Sequence, residues 1–158
     1  MNDLILEFYT ALNNCDGNKM VKCYHDDVVF EDPAFGILKG NRAKSMWLML
    51  CESQNGNGFK VEHSNIITNE KTGSAHWEAH YTFSKTGRKV HNKIDATFEF
   101  KDGLIIKHTD VFDIHNWAKQ AIGFKGFLFG DMSFFKNKLQ IQTNSLLDKF
   151  INKKKLSN

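Results

Sequence analysis

The stretch HNKIDATFEFKDGLIIKHTDVF, residues 91–112, alternates apolar and polar side chains on both sides of a KDG turn. Alternation with period two marks strands with one buried face, and KDG between two such runs is a hairpin signal. The spacing predicts strands over 89–101 and 104–112. On the first, Ile94, Ala96, Phe98 and Phe100 share a face with Asn92; on the second, Ile106 and Phe112 share a face with His108 and Asp110. Polar groups thus intrude on faces that should be apolar.

Working upstream, AHWEAHYTF (75–83) has the same period. Ala75, Trp77, Ala79, Tyr81 and Phe83 form one face, and His76, Glu78, His80 and Thr82 the other, which should meet solvent or a partner subunit. With KTGR as a second turn, strands are predicted over 59–68 and 73–84, so that 59–113 reads as an antiparallel meander. Earlier still, VVFEDPAFG (28–36) puts Val28, Phe30 and Asp32 on one strand face, directly before Pro33, the only proline. Asp32 could close a turn or face a cavity.

Helical spacing surrounds these strands. Leu4, Phe8, Leu12 and Cys15 form one stripe that should end near Gly17, with Tyr9 one step off it, and a short helix is predicted over 18–24. Asn41 is a candidate N-cap for a helix burying Ala43, Met46, Trp47 and Leu50. Asp113 is a candidate cap for a helix holding Trp117, Ala118 and Ala121, and from about Ser133 a last helix carries Phe135, Leu139, Leu146 and Phe150. The apolar segment GFKGFLFGDM between them could be a pocket lid, a subunit contact or core, and a lid-like wall is favoured. Helices covering one face of a curved antiparallel sheet make an α+β fold with a cone-shaped interior that can hold a ligand.

The 158 residues fit one domain, assigned to 1–152 with a disordered basic tail at 153–158. The formal charge of +3 equals the contribution of Lys153, Lys154 and Lys155, leaving a near-neutral body. Nucleic acid is therefore not an expected partner, since phosphate-backbone binding needs many basic contacts together. Membrane insertion is not expected either, because no apolar run approaches the length that spans a bilayer. Three cysteines without CxxC spacing and an acidic N-terminus lead to the expectation of a cytoplasmic protein. No ligand pattern completes a metal shell, and no glycine loop cradles a cofactor phosphate, so neither metal nor cofactor is expected.

Burying an unpaired carboxylate costs several kcal/mol, so Asp32 and Asp110 must be paired, protonated or opened to a cavity. His108 and Asp110 could equally form a structural pair, and Asn92 could mark a sheet edge or bulge. Trp77 and Tyr81 read as core or pocket lining.

The chain resembles the nuclear transport factor two-like superfamily, in its SnoaL-like branch. The resemblance is carried by FYTALNNCD, VVFEDPAFGILKG, NKIDATFEFKDGLI, HTDVFDIHNWAKQAIG and GFLFG. It implies a cone-like, cystatin-like α+β barrel and commonly a homodimer through the outer sheet face. Three enzyme groups offer matches. Ketosteroid isomerases place their base on Asp32 and an oxyanion-hole acid on Asp95, with Phe8 standing where their tyrosine donor would be. Limonene epoxide hydrolases map their Asp–Arg–Asp set onto Asp95, Lys93 and Asp110, and their water holders onto Phe30 and Asp32. Polyketide cyclases use a strand carboxylate, which matches Asp110 beside His108.

The expected site thus has Asp32, His108 and Asp110 as catalytic candidates, with Phe8, Phe30, Trp47, Trp77, Tyr81, Asn92, Asp95 and Phe112 around a largely apolar, oxygenated small molecule. Proton transfer by the Asp and His groups would suit a cofactor-free isomerase, cyclase or hydrolase, and a non-catalytic ligand-binding or dimeric interaction domain is the alternative.

Overall fold

The computed structural model describes residues 1–123 and 132–156. In chain order the elements are α1 (Asn2–Asn13), α2 (Gly17–Lys22), β1 (Tyr24–Asp32), β2 (Gly36–Lys39), α3 (Asn41–Gln54), β3 (Lys60–Thr68), β4 (Thr72–Phe83), β5 (Arg88–Lys101), β6 (Leu104–Val111), α4 (Ile114–Ile122) and α5 (Met132–Leu156). The strands form one curved, unclosed sheet in the order β2-β1-β6-β5-β4-β3. Helices cover its concave face, as the alternation of apolar residues requires. Among the described residues, no helix is long and apolar enough to cross a membrane.

The meander from β3 to β6 is antiparallel, whereas β1 runs parallel to β6. The antiparallel meander is as expected from the sequence, and the chain between β1 and β6 is long enough to bring β6 beside β1 in the same direction. A correction lies at the β5–β6 turn. Asp102 (φ 52°) and Gly103 (φ 78°) make a tight hairpin, but the register steps from Glu99↔Lys107 to Phe100↔Ile105, skipping Ile106. The bulge buries Ile105 in place of Ile106.

Local signals also shift element ends. Asp16 caps α2 by accepting the Lys19 N–H at 3.0 Å, and Tyr24 is already in the strand. Gly40, not Asn41, is the N-cap of α3; its φ of 49° suits glycine, and a Cβ would meet the Asp26 carbonyl oxygen at 3.1 Å. Asp113 caps α4 as its sequence position suggests, accepting the His115 and Asn116 N–H groups. Helix α5 continues through Lys153–Lys155 to Leu156, and Lys154 pairs with Glu52 at 2.8 Å. The segment 124–131, most of GFKGFLFGDM, lies outside the described residues, as do 157–158.

The core centres on the inner strand faces and α1. Ile5, Phe8 and Tyr9 are fully buried, so the inward stripe of α1 includes the tyrosine that the four-and-three spacing leaves off it. The α5 residue Leu147 closes this core from the other end of the chain.

Candidate active site

The inner sheet face, α1, α3, α4 and α5 enclose a cavity of about 500 Å³. Its walls are mainly apolar: Phe30 from β1, Trp47 and Leu50 from α3, Trp77 and Ala79 from β4, Ile94 from β5, and Leu139 and Phe150 from α5. Exposed lining residues, Ser53, Lys85, Gln142 and Leu146, mark its mouth. Three polar side chains from separate strands reach the lining: Asp32 of β1, Asn92 of β5 and Asp110 of β6.

Asp32 does two jobs. Its Oδ1 accepts the Phe35 N–H at 2.5 Å, closing the DPAF turn, while the carboxyl also lines the cavity. Burial pushes its pKa up to about 7, against hydrogen bonds from the Phe35 and Ala34 backbone that pull it down, and the charge of Asp110 adds to the rise. The turn itself is clamped by α5: Gln140 donates to the Pro33 carbonyl (3.2 Å), Thr143 to that of Ala34 (2.8 Å) and Asn144 to that of Phe35 (2.9 Å). Arg42 of α3 braces α5 through Asp148 and Asn144.

Asp110 ends a buried polar chain. The Trp47 indole N–H donates to the Tyr24 hydroxyl (2.8 Å), which meets His108 Nδ1 (2.7 Å); His108 Nε2 lies 3.0 Å from Asp110 Oδ1, and the Trp77 indole N–H donates to the same oxygen (3.2 Å). With Asp110 as a carboxylate, Oδ1 only accepts, so Nε2 carries a hydrogen; a neutral imidazole then leaves Nδ1 bare for the Tyr24 hydroxyl to donate to. Both donors fall on Oδ1, and no described residue hydrogen-bonds Oδ2.

Of the residues singled out from sequence, Asp32, Asp110, Phe30, Trp47, Trp77, Tyr81, Asn92 and Phe112 line this one cavity. Three do not. His108 has no exposed surface and is enclosed by the rings of Phe8, Tyr24, Phe30, Trp47 and Phe98, so it touches Asp110 and not the cavity. Phe8 is likewise part of the core, packed on Tyr24, Trp47 and His108. Asp95 sits on the outer sheet face, 82% exposed, with Oδ1 2.7 Å from His76 Nδ1, because unbroken β4–β5 pairing keeps it opposite His76. This removes both the oxyanion-hole acid and the Asp–Arg–Asp set implied by the enzyme resemblances.

Two contributors are not visible in the sequence. Tyr24 falls at a predicted helix end, and only its distant contact with His108 reveals its part. Trp117, an expected α4 core residue, lines the cavity and donates to the Tyr81 hydroxyl at 2.7 Å; its position close to the capping Asp113 gives no hint of this.

Solved structures share the fold. A candidate polyketide cyclase from Xanthomonas campestris pv. campestris is 18% identical, with a TM-score of 0.60 over 75% of this chain and 93% of the other. An LEH-like epoxide hydrolase from M. tuberculosis is 24% identical, with a TM-score of 0.58 over 81% and 89%. TerC, co-crystallised with polyporic acid, is 16% identical, with a TM-score of 0.63 over 75% and 95%. No curated protein sequence matches the chain. Residues 5–108 match the SnoaL-like domain, and the chain therefore belongs to the SnoaL-like family of the nuclear transport factor two-like superfamily.

Proposed function

We propose that the cavity binds a largely apolar, oxygenated small molecule and catalyses cofactor-free proton transfer beside a carbonyl group. The observation that carries this reading is the presence of two carboxyl groups, Asp32 and Asp110, on the wall of one apolar cavity. A cavity of about 500 Å³ is within the usual size of small-molecule sites. Asp110 takes the proton α to the carbonyl through Oδ2, and the electron pair moves onto the carbonyl oxygen. The Asn92 amide donates a hydrogen bond to that oxygen, and Asp32, titrating near neutrality, returns a proton to the product. His108 acts as a positioning residue for Asp110, because it does not reach the cavity. A homodimer through the outer sheet face belongs to the same proposal, and sedimentation velocity of the full chain tests it.

The test begins with a thermal-shift screen of apolar ketones, phenols and quinones, since a ligand of the native state raises the melting temperature. For each binder, NMR follows exchange of its α-hydrogens in D₂O. The wild-type protein should accelerate exchange, and Asp110→Asn, with its fold intact by circular dichroism, should abolish the acceleration. Retained exchange in Asp110→Asn would remove it as the base, and binding without exchange would make the cavity a ligand-binding site only.

A further inference from the structure

The convex face of the sheet holds a second concentration of titratable side chains. His80 of β4 and His91 of β5 are cross-strand neighbours, their rings stacked with centroids 4.0 Å apart. Glu78, two residues before His80 on the same face, hydrogen-bonds His91 Nε2 through Oε2. All three are half-buried, and one ligand atom from each lies within 4.8 Å of the others. Two imidazoles and one carboxylate are a donor set suited to zinc and neighbouring first-row divalent ions, with the fourth position left for water or, across the proposed outer-face dimer, for a group of the second copy.

We propose that Glu78, His80 and His91 form a binding site for a divalent transition-metal ion on the convex sheet face. The backbone presenting them is fixed, since the β4–β5 ladder runs without a bulge from Thr72↔Glu99 to Phe83↔Arg88. His91 is further held from α4, where Gln120 accepts its N–H at 2.7 Å and donates to its carbonyl at 3.0 Å. Glu78 is oriented from its other side by His76, whose Nε2 is 3.3 Å from Glu78 Oε1 and whose Nδ1 is held by Asp95. Such outer partners fix ligand geometry in metal sites. Two cations flank the group. Lys93 Nζ is 3.6 Å from Glu78 Oε1, and Lys60, opposite His80, is paired with Glu62. Ring rotation at the half-buried histidines closes the ligands onto an ion, and the Nε2 of His91 turns from the Glu78 carboxylate to the metal, its hydrogen passing to Nδ1.

The experiment is calorimetric titration of the metal-free full-length protein with Zn²⁺ in two buffers of different ionisation enthalpy, with Co²⁺ absorption as a spectroscopic readout. Saturable uptake of one ion per chain is expected. Affinity should fall at least ~10-fold in His80→Ala, His91→Ala and Glu78→Gln. His25→Ala, at a separate His–Asp cluster with Asp27 and Asp102, should bind as wild type. His80→Gln and His91→Gln repeat the test where an alanine variant melts early. Lack of saturable uptake by the wild type, or affinity unchanged in the His80 and His91 variants, would overturn the assignment.

Discussion

Replacing Asp32 by Asn isolates the cost of its unusual proton affinity. The native carboxyl titrates at about 7 against 3.8 for an ordinary aspartate, a difference of about 3 units. At about 1.4 kcal/mol per unit this is an upper bound of roughly 4 kcal/mol. Because the carboxyl is half-buried and opens on the cavity, solvent screening reduces the readable difference to about 2 kcal/mol. The sign follows from linkage. Between pH 4 and 7 the unfolded chain has released the proton that the native state keeps, so wild-type stability falls as pH rises through this window and levels off above it. Asn cannot ionise, and its Oδ1 still accepts the Phe35 N–H. Chemical denaturation of both proteins at several values from about pH 4.5 to 8 measures the difference. Asp32→Asn should gain about 2 kcal/mol on wild type between the two ends. Parallel profiles, agreeing within about 0.5 kcal/mol, would refute the reasoning and return Asp32 to a plain turn former.

Other substitutions probe the remaining parts. Tyr24→Phe leaves the Trp47 indole N–H and His108 Nδ1 without their partner in a fully buried site, and should cost about 1–3 kcal/mol by denaturation. Ala79→Leu projects a larger side chain into the cavity, and should abolish ligand-induced thermal shifts while the unliganded protein keeps its circular dichroism spectrum. Gly40→Ala forces a Cβ against the Asp26 carbonyl at a φ of 49°, and chemical denaturation should show a cost of about 1–3 kcal/mol. Leu147→Ala empties a fully buried position where α5 meets the core, and should cost about 2–5 kcal/mol in the same assay.

Much of the site is legible because strand periodicity fixes which way a side chain points. Phe30 with Asp32, Asn92 with Ile94, and Trp77 with Tyr81 each follow from alternation alone, and each lines the cavity. The same alternation puts Asp95 on the other face, and only the enzyme resemblance argues it inward. What escapes the sequence depends on contacts across the chain. The occlusion of His108 needs five rings from β1, β5, α1 and α3, none of which local spacing brings together. The burial of Ile105 depends on a bulge, and a bulge inserts a residue without a distinctive local pattern. Tyr9 joins the core because α1 packs on β3 as well as on the sheet centre, with its ring stacked on His63.

The clamp that α5 places on the Asp32 turn also ties together distant parts of the chain. Its hydrogen bonds to the Pro33, Ala34 and Phe35 carbonyls span 107 to 109 residues of sequence. Contacts of such separation form only after a large loop has closed. During synthesis the strand carrying Asp32 therefore emerges long before the helix that encloses it. The raised proton affinity of Asp32, which comes from its burial, thus rests in part on a helix made far along the chain.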